Sequence, residues 1–88
     1  MRKRSSSDII ATILESANGG VGKTKLLTRA NLTSSQLKKY MDLLLEKELI
    51  ARCEDRSSSG HPIYKTTGLG LQYLVLYNSV KSVGYIDA

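Results

Sequence analysis

The stretch Ala17–Lys25, which reads ANGGVGKTK, contains residue types that could bind a nucleotide. Its Gly-Lys-Thr triplet matches the end of the P-loop G-x-x-x-x-G-K-[ST], whose backbone amides and lysine bind phosphate groups. Counting back from Gly22, however, the first glycine of that motif falls on Ala17. The triplet alone therefore does not establish a nucleotide site.

The surroundings of this stretch argue against a nucleotide site, because a P-loop lies between a strand and a helix. The apolar residues before the glycines recur with a helical period instead, at Ile9, Ile10, Ile13, Leu14 and Ala17. A chain of 88 residues also leaves no room for a parallel sheet, since each strand-helix-strand unit takes about 30 residues. We therefore predict that no nucleotide binds here, and that the glycines end a helix and form a turn.

Catalytic or metal chemistry needs clustered nucleophiles, bases or ligands, which this sequence does not supply. Cys53 is the only cysteine and His61 the only histidine, so neither a disulfide nor a zinc site within one chain is expected. We interpret Cys53 as a small apolar strand residue and predict that the protein is not an enzyme and has no cofactor. No apolar run reaches the roughly 18 residues that span a membrane, and MRKRSSSD lacks the apolar segment of a signal peptide. We expect a cytoplasmic protein.

Positive charge is concentrated in the first half of the chain. The formal net charge is +5 and the sequence pI is near 9.5. Residues 1–41 contain eight Lys and Arg against two acids, a net +6, whereas residues 42–88 contain five against six, a net −1. Such an asymmetry is typical of nucleic-acid-binding proteins, the alternative being a solvated basic surface.

Three helices are predicted in this basic half. Ser5 and Asp8 form a capping box for the first, which runs to about Ala17, and the second covers Lys23–Ala30. The third, over residues 33–46, begins with Thr33 as its cap and a glutamine at the capping-box position. Its buried stripe is predicted to be Leu37, Tyr40, Met41, Leu44 and Leu45. The opposite face then carries Ser35, Lys39 and Asp42, flanked by Gln36 and Lys38.

The second half changes to the pattern of a β-hairpin followed by a helix. The segments LIARCE and PIYKT read as short strands, and DRSSSGH between them has turn chemistry. The last helix begins near Thr67, and we predict that Leu71, Leu74 and Val75 pack inward. A second apolar stripe then remains at the surface, composed of Leu69, Tyr73, Leu76 and Val80. A single wide core contact is the alternative.

The predicted fold is mainly α with a small β-hairpin: a winged helix-turn-helix with three helices, a two-stranded wing and a C-terminal helix. We divide the chain into a basic flexible arm at residues 1–6, this domain at residues 7–80 and a frayed tail at residues 81–88. The arm carries Arg2, Lys3 and Arg4, and is either a solvated tail or a further contact with DNA.

Three segments, DIIATILESA, KTKLLTRANLTSSQLKKYMDLLLEKELI and IYKTTGLGLQYL, resemble the small archaeal winged-helix DNA-binding proteins. That group includes transcription-regulator-like proteins and ten-kilodalton basic chromatin proteins, and the resemblance covers roughly residues 7–78. Two positions depart from the pattern: Glu48 stands where LLEKGLI has glycine, and Thr67-Gly68-Leu69-Gly70 replaces T-E-K-G.

The resemblance implies binding of double-stranded DNA, since the second helix of a helix-turn-helix enters the major groove. The third helix would then read the groove, the second would contact phosphates, and the wing would reach a minor groove. The residues expected to contact DNA are Lys23, Lys25, Arg29, Ser34, Ser35, Gln36, Lys38, Lys39, Arg52, Arg56 and His61.

A transcriptional regulator is the function that we favour from the sequence. An architectural chromatin protein of low sequence specificity, or a winged-helix module for protein–protein contacts, are the alternatives. The surface stripe Leu69, Tyr73, Leu76 and Val80 has nearly helical-seam spacing, and we predict that it forms a homodimer interface.

Overall fold

Seven elements make up the structure, a computed structural model that describes residues 5–54 and 61–82. They are α1 (Ser6–Ser16), β1 (Val21–Gly22), α2 (Lys23–Ala30), α3 (Ser34–Glu46), β2 (Ile50–Glu54), β3 (Pro62–Thr66) and α4 (Gly68–Ser82). Arg56, most of the predicted arm and most of the predicted tail lie outside the described residues. None of the helices in the described ranges is both long and apolar enough to cross a membrane.

Capping boxes begin both α1 and α3, as the sequence predicts. The Ser5 hydroxyl accepts a bond from the Asp8 amide at 3.1 Å, and the Asp8 carboxylate accepts one from the Ser5 amide at 3.3 Å. In α3, the Thr33 hydroxyl accepts from the Gln36 amide at 3.2 Å, while Gln36 Oε1 accepts from the Thr33 amide at 3.0 Å. These reciprocal bonds satisfy amides that a helix start otherwise leaves without partners.

The sheet has three strands rather than the predicted two. The short strand β1 pairs antiparallel with β3, Val21 opposite Tyr64 and Gly22 opposite Ile63, so the strand order is β1-β3-β2. A strand of two residues, one of them glycine, carries no alternating pattern, which is why the sequence did not predict it. The glycines before it form the predicted turn, with φ of 94° at Gly19 and 103° at Gly20.

The core lies between the helices and the inner side of this sheet. Its largest fully buried side chains are Ile13, Leu14, Leu26, Leu37, Leu44 and Ile50. One buried polar residue, Thr66, joins the sheet to α1: its hydroxyl donates to the Leu14 carbonyl at 2.6 Å, and its amide donates to the Ala17 carbonyl at 3.1 Å. Two carbonyls at the end of α1 thus accept hydrogen bonds from the end of β3.

The orientation of α4 corrects the predicted packing. Of the three residues expected to face inward, Leu74 is buried, but Leu71 and Val75 are exposed. The cause is Gly70, which lies against the Leu49 carbonyl so closely that an added Cβ would overlap it and would approach Thr66 Cγ2 to 2.6 Å. With Gly70 facing inward, the positions three, four and seven residues later face inward too.

Candidate nucleic-acid interface

The outer face of α3 consists of short polar and basic side chains held over a buried stripe. Leu37, Met41 and Leu44 are buried, which fixes the rotation of the helix about its axis. The residues of α3 that were predicted to contact DNA are all exposed in the structure: Ser34, Ser35, Gln36, Lys38 and Lys39. This face is therefore free for a polar or negatively charged partner.

The side chain of Gln36 has two tasks that compete. Its Oε1 accepts the bond from the Thr33 amide that closes the capping box. A bidentate contact with adenine needs both the oxygen and the NH₂ group of a glutamine. While the cap is intact, one lone pair of Gln36 Oε1 is used and the direction of the amide is set by the capping bond, which restricts bidentate reading of adenine.

Lys38 is the lysine of this face that has a partner within the helix. Its Nζ lies 3.2 Å from Asp42 Oδ2, one turn later, and both side chains are largely exposed. Exposed pairs of this kind contribute only about 0.3–0.5 kcal/mol, so a phosphate can displace the carboxylate at little cost. Asp42 nevertheless places a negative charge on the predicted reading face.

A cleft of about 620 Å³ brings together four of the predicted DNA-contacting residues. We call it the α2–β3 cleft, because it is bounded by the start of α2 and the start of β3. Its lining includes Lys23, Lys25 and Arg29 from α2 together with His61, and no Asp or Glu belongs to the lining among the described residues. The Arg29 guanidinium donates to the Ser16 carbonyl at 3.2 Å, which anchors it at the end of α1.

A smaller cleft of about 230 Å³ connects this basic region to α3. Lys23, Lys38, Asp42 and Tyr64 all line it, so Lys23 borders both clefts. Tyr64 was not predicted from the sequence, because its position depends on the pairing of β3 with β1 and β2. Lys23 of α2 and Lys38 of α3 consequently border the same cleft.

The predicted wing residues do not all lie together. Arg52 is exposed on β2, away from the lining of the α2–β3 cleft, and Arg56 lies outside the described residues. His61, which the sequence grouped with the wing, lines the cleft beside α2 instead. Cys53 lies in a strand as expected, but its side chain is exposed.

The outer face of α4 is apolar and uncovered. Leu69, Leu76 and Val80, three of the four residues of the predicted dimer stripe, are 50%, 68% and 61% exposed. The fourth, Tyr73, is half-buried, and its hydroxyl donates to the Ser7 carbonyl at 3.4 Å. Tyr73 still borders the stripe, because it lines a groove of about 440 Å³ together with Leu76 and Val80.

An aromatic cluster attaches α4 to the start of α1. The Tyr77 ring stacks on Tyr73 at 6.4 Å between centroids, Lys81 Nζ lies 5.3 Å from the centre of the Tyr77 ring, and the Tyr77 hydroxyl bonds the Asp8 carboxylate. That bond lowers the pKa of Asp8 below its ordinary value of 3.8. The same bond, together with desolvation, raises the pKa of Tyr77 to about 12.

Comparison with known proteins identifies the family. The family model described as winged helix-turn-helix matches residues 3–84, so the chain belongs to the winged helix-turn-helix family, and the predicted fold is confirmed. The chain is similar to the crystal structure of Sso10a-2, a DNA-binding protein from Sulfolobus solfataricus, with a TM-score of 0.73 and 19% sequence identity. The similarity covers 97% of this chain and 98% of that one. No curated protein sequence gives a significant match.

Proposed function

We propose that this protein binds double-stranded DNA through α3 and acts as a transcriptional regulator. The observation that carries the proposal is the outer face of α3, which is polar, basic and exposed directly opposite its buried stripe. Membership of the winged helix-turn-helix family and the similarity to a DNA-binding protein support it. These findings point to a DNA-binding protein rather than an enzyme.

In the proposed complex α3 lies in the major groove and α2 crosses the backbone, which is how helix-turn-helix proteins dock. Ser34, Ser35, Gln36, Lys38 and Lys39 then lie nearest the base edges. Lysine can donate hydrogen bonds to guanine O6 and N7, while serine hydroxyls can form hydrogen bonds with several different bases.

Phosphate contacts come from the α2–β3 cleft in this arrangement. Lys23, Lys25 and Arg29 supply positive charge, and the first amides of α2 point outward with no side chain capping them, because the N-cap residue is Gly22. Uncapped amides at a helix start are good donors to phosphate oxygens. The sequence GGVGKT thus meets phosphate on a DNA backbone, without any nucleotide. Arg52 adds positive charge on β2 toward an adjacent minor groove.

An architectural role with low sequence specificity is the second candidate, and Gln36 favours it. The capping bond uses one lone pair of the oxygen that bidentate reading of adenine requires, and it restricts the orientation of the amide. No arginine is present in α3, and arginine makes the commonest specific contact with guanine. Comparison of random and genomic duplexes separates the two roles, because a regulator prefers particular fragments and an architectural protein does not.

We further propose a homodimer that buries the α4 stripe of Leu69, Tyr73, Leu76 and Val80. Large exposed apolar patches on small proteins are typical of interaction sites. A two-fold axis buries each contact twice, and a dimer presents two copies of α3 to one duplex.

The main test replaces Lys38 and Lys39 by alanine and titrates the protein with duplex DNA at several salt concentrations. Loss of two charged contacts should weaken binding by at least about 100-fold, since each charged hydrogen bond contributes about 1.5–3 kcal/mol and 1.4 kcal/mol is about tenfold. The slope of log K against log salt should become shallower by about 0.9 for each lost phosphate contact.

The matched control is Lys47→Ala, which removes an exposed lysine at the other end of α3. It should change affinity little, because that end of the helix points away from the groove. Equal losses in the control and the double variant, or unchanged affinity in a folded double variant, would contradict the proposed docking.

A further inference from the structure

His61 is the member of the α2–β3 cleft whose charge depends on pH. It lines the cleft together with Lys23, Lys25 and Arg29, whose charges are constant near neutral pH. Histidine is the side chain that ordinarily gains or loses its proton between pH 5 and 8. It is also the only histidine of the chain.

The position of His61 in this cleft follows from the backbone. Because Gly22 pairs with Ile63 in antiparallel register, the chain leaves β1 and enters α2 at the point where β3 begins. Residues just after Gly22 and residues just before Ile63 therefore lie side by side. His61 is brought to the lysines of α2 by a strand pairing, independently of the shape of the hairpin tip.

The charged side chains that line the cleft with this histidine are positive. Lys23, Lys25 and Arg29 line it from α2. From the sheet, the backbone of the neighbouring strand β2 ends at Glu54, which is paired in register with Pro62, the residue next to His61. An anion that enters the cleft meets three constant positive charges and one that is present only when the imidazole is protonated.

We propose that the α2–β3 cleft binds a DNA backbone phosphate and that protonated His61 is its fourth positive charge, so that DNA binding strengthens as the pH falls. This inference rests on the proposed DNA binding, and it adds that His61 is protonated when the DNA is bound. A phosphate close to the imidazole favours the protonated form, and by linkage the protonated protein binds phosphate more tightly. DNA binding by the neutral form therefore takes up a proton.

The experiment measures the slope of log K against log salt at about pH 5.5 and about pH 7.5, because histidines ordinarily gain or lose their proton between pH 5 and 8. The wild-type protein should have a slope steeper by about 0.9 at the lower pH, the value for one more phosphate contact. Affinity between 50 and 200 mM salt then falls about three- to fourfold more at pH 5.5 than at pH 7.5. The buffers contain no phosphate, since free phosphate competes for the same cleft.

Two substitutions make the result specific to this residue. His61→Gln should have the shallower slope at both pH values, and His61→Lys the steeper slope at both. Both variants keep the α-amino group, which also titrates near this range at about 7.7–8.0, so its contribution cancels in the comparison. Thermal melting followed by circular dichroism at each pH establishes that the variants are folded.

The outcomes separate this inference from the proposed function. If the wild type binds DNA with the same slope at both pH values, or if His61→Gln retains the difference, the fourth charge is refuted while DNA binding stands. If the wild type does not bind duplex DNA at either pH, the proposed function itself fails and the inference fails with it.

Discussion

The helices α3 and α4 expose opposite kinds of side chain. In α3, two fully buried leucines and a buried methionine lie inside, and serines, lysines and a glutamine lie outside. In α4 the inward side chains are Leu74 and two half-buried tyrosines, and the outer face carries large apolar residues, among them Val75, Leu76 and Val80. The domain holds α3 firmly and leaves much of the apolar surface of α4 in water.

The contrast indicates what each helix is suited to bind. A polar basic face gains from a negatively charged partner and costs nothing when it is solvated. An apolar face gains from being covered, at roughly 25 cal/mol per Å² removed from water. We therefore assign DNA to α3 and a second copy of the chain to α4, and the following predictions test that division.

The largest expected effect is on folding stability. Leu44→Ala should lower the free energy of unfolding by about 2–5 kcal/mol, because it opens a cavity in the core. Leu76→Ala should cost less than about 0.5 kcal/mol in dilute protein, because its side chain is already 68% exposed. Urea unfolding of both variants measures the difference. Equal losses at low protein concentration would mean that Leu76 is packed within its own domain.

The next effect is on assembly. Leu76→Glu combined with Val80→Glu should convert a dimer at tens of micromolar into a monomer, because each buried leucine contributes roughly 1.5–3 kcal/mol and the symmetry doubles the loss. Sedimentation velocity measures the species present. The matched control is Leu43→Glu on α3, which is 41% exposed and lies outside the stripe, and should not change the assembly. A wild-type protein that is monomeric at this concentration contradicts the proposed dimer.

The smallest effect concerns how α4 is attached to α1, and it depends on pH. Since the pKa of Asp8 is lowered in the folded protein, its bond with Tyr77 adds stability above pH 3.8, and this stability disappears as the pH falls further. The raised pKa of Tyr77, about 12, means that the contribution is complete below its ordinary pKa of 10 and is lost toward pH 12. Tyr77→Phe should therefore lower the Tm at pH 7 more than at pH 3.

The matched control for this measurement is Tyr73→Phe. Its hydroxyl donates to the carbonyl of Ser7, which does not titrate, so its effect on the Tm should be the same at pH 3 and pH 7. Thermal melts of both variants at pH 3 and pH 7 measure this difference in Tm. A pH-independent difference for Tyr77→Phe would show that Asp8 does not contribute through its charge.

Local structure could be predicted from the sequence wherever residues close together in the chain determine it. Both capping boxes, the stripe of α3 and the bounds of β3 depend on residues a few positions apart, and the structure confirms them. Glu48 is a further example of a local effect. It stands where the family pattern LLEKGLI has glycine, and it adopts a φ of 60°. That conformation is one that glycine adopts without strain.

Prediction from the sequence failed where distant segments meet. The rotation of α4 about its axis is set by the contact of Gly70 with Leu49. The spacing of the apolar residues within α4 does not predict this contact. The membership of His61 in the α2–β3 cleft depends on β1, which has two residues and no periodic signal. The basic character of the surface was predictable from composition, but its division into clefts was not.

The bonds that complete α1 have a consequence for how the chain is made. Leu14, Ser7 and Asp8 find their partners 52, 66 and 69 residues later, at Thr66, Tyr73 and Tyr77. Contacts this distant in sequence form late, because the intervening loop must close first. During synthesis α1 and α2 are made before β3 and α4, so the Leu14 carbonyl and the side of α1 that packs on α4 are covered only after those later elements have followed. A chain released before Tyr77 therefore leaves that side of α1 open to aggregation.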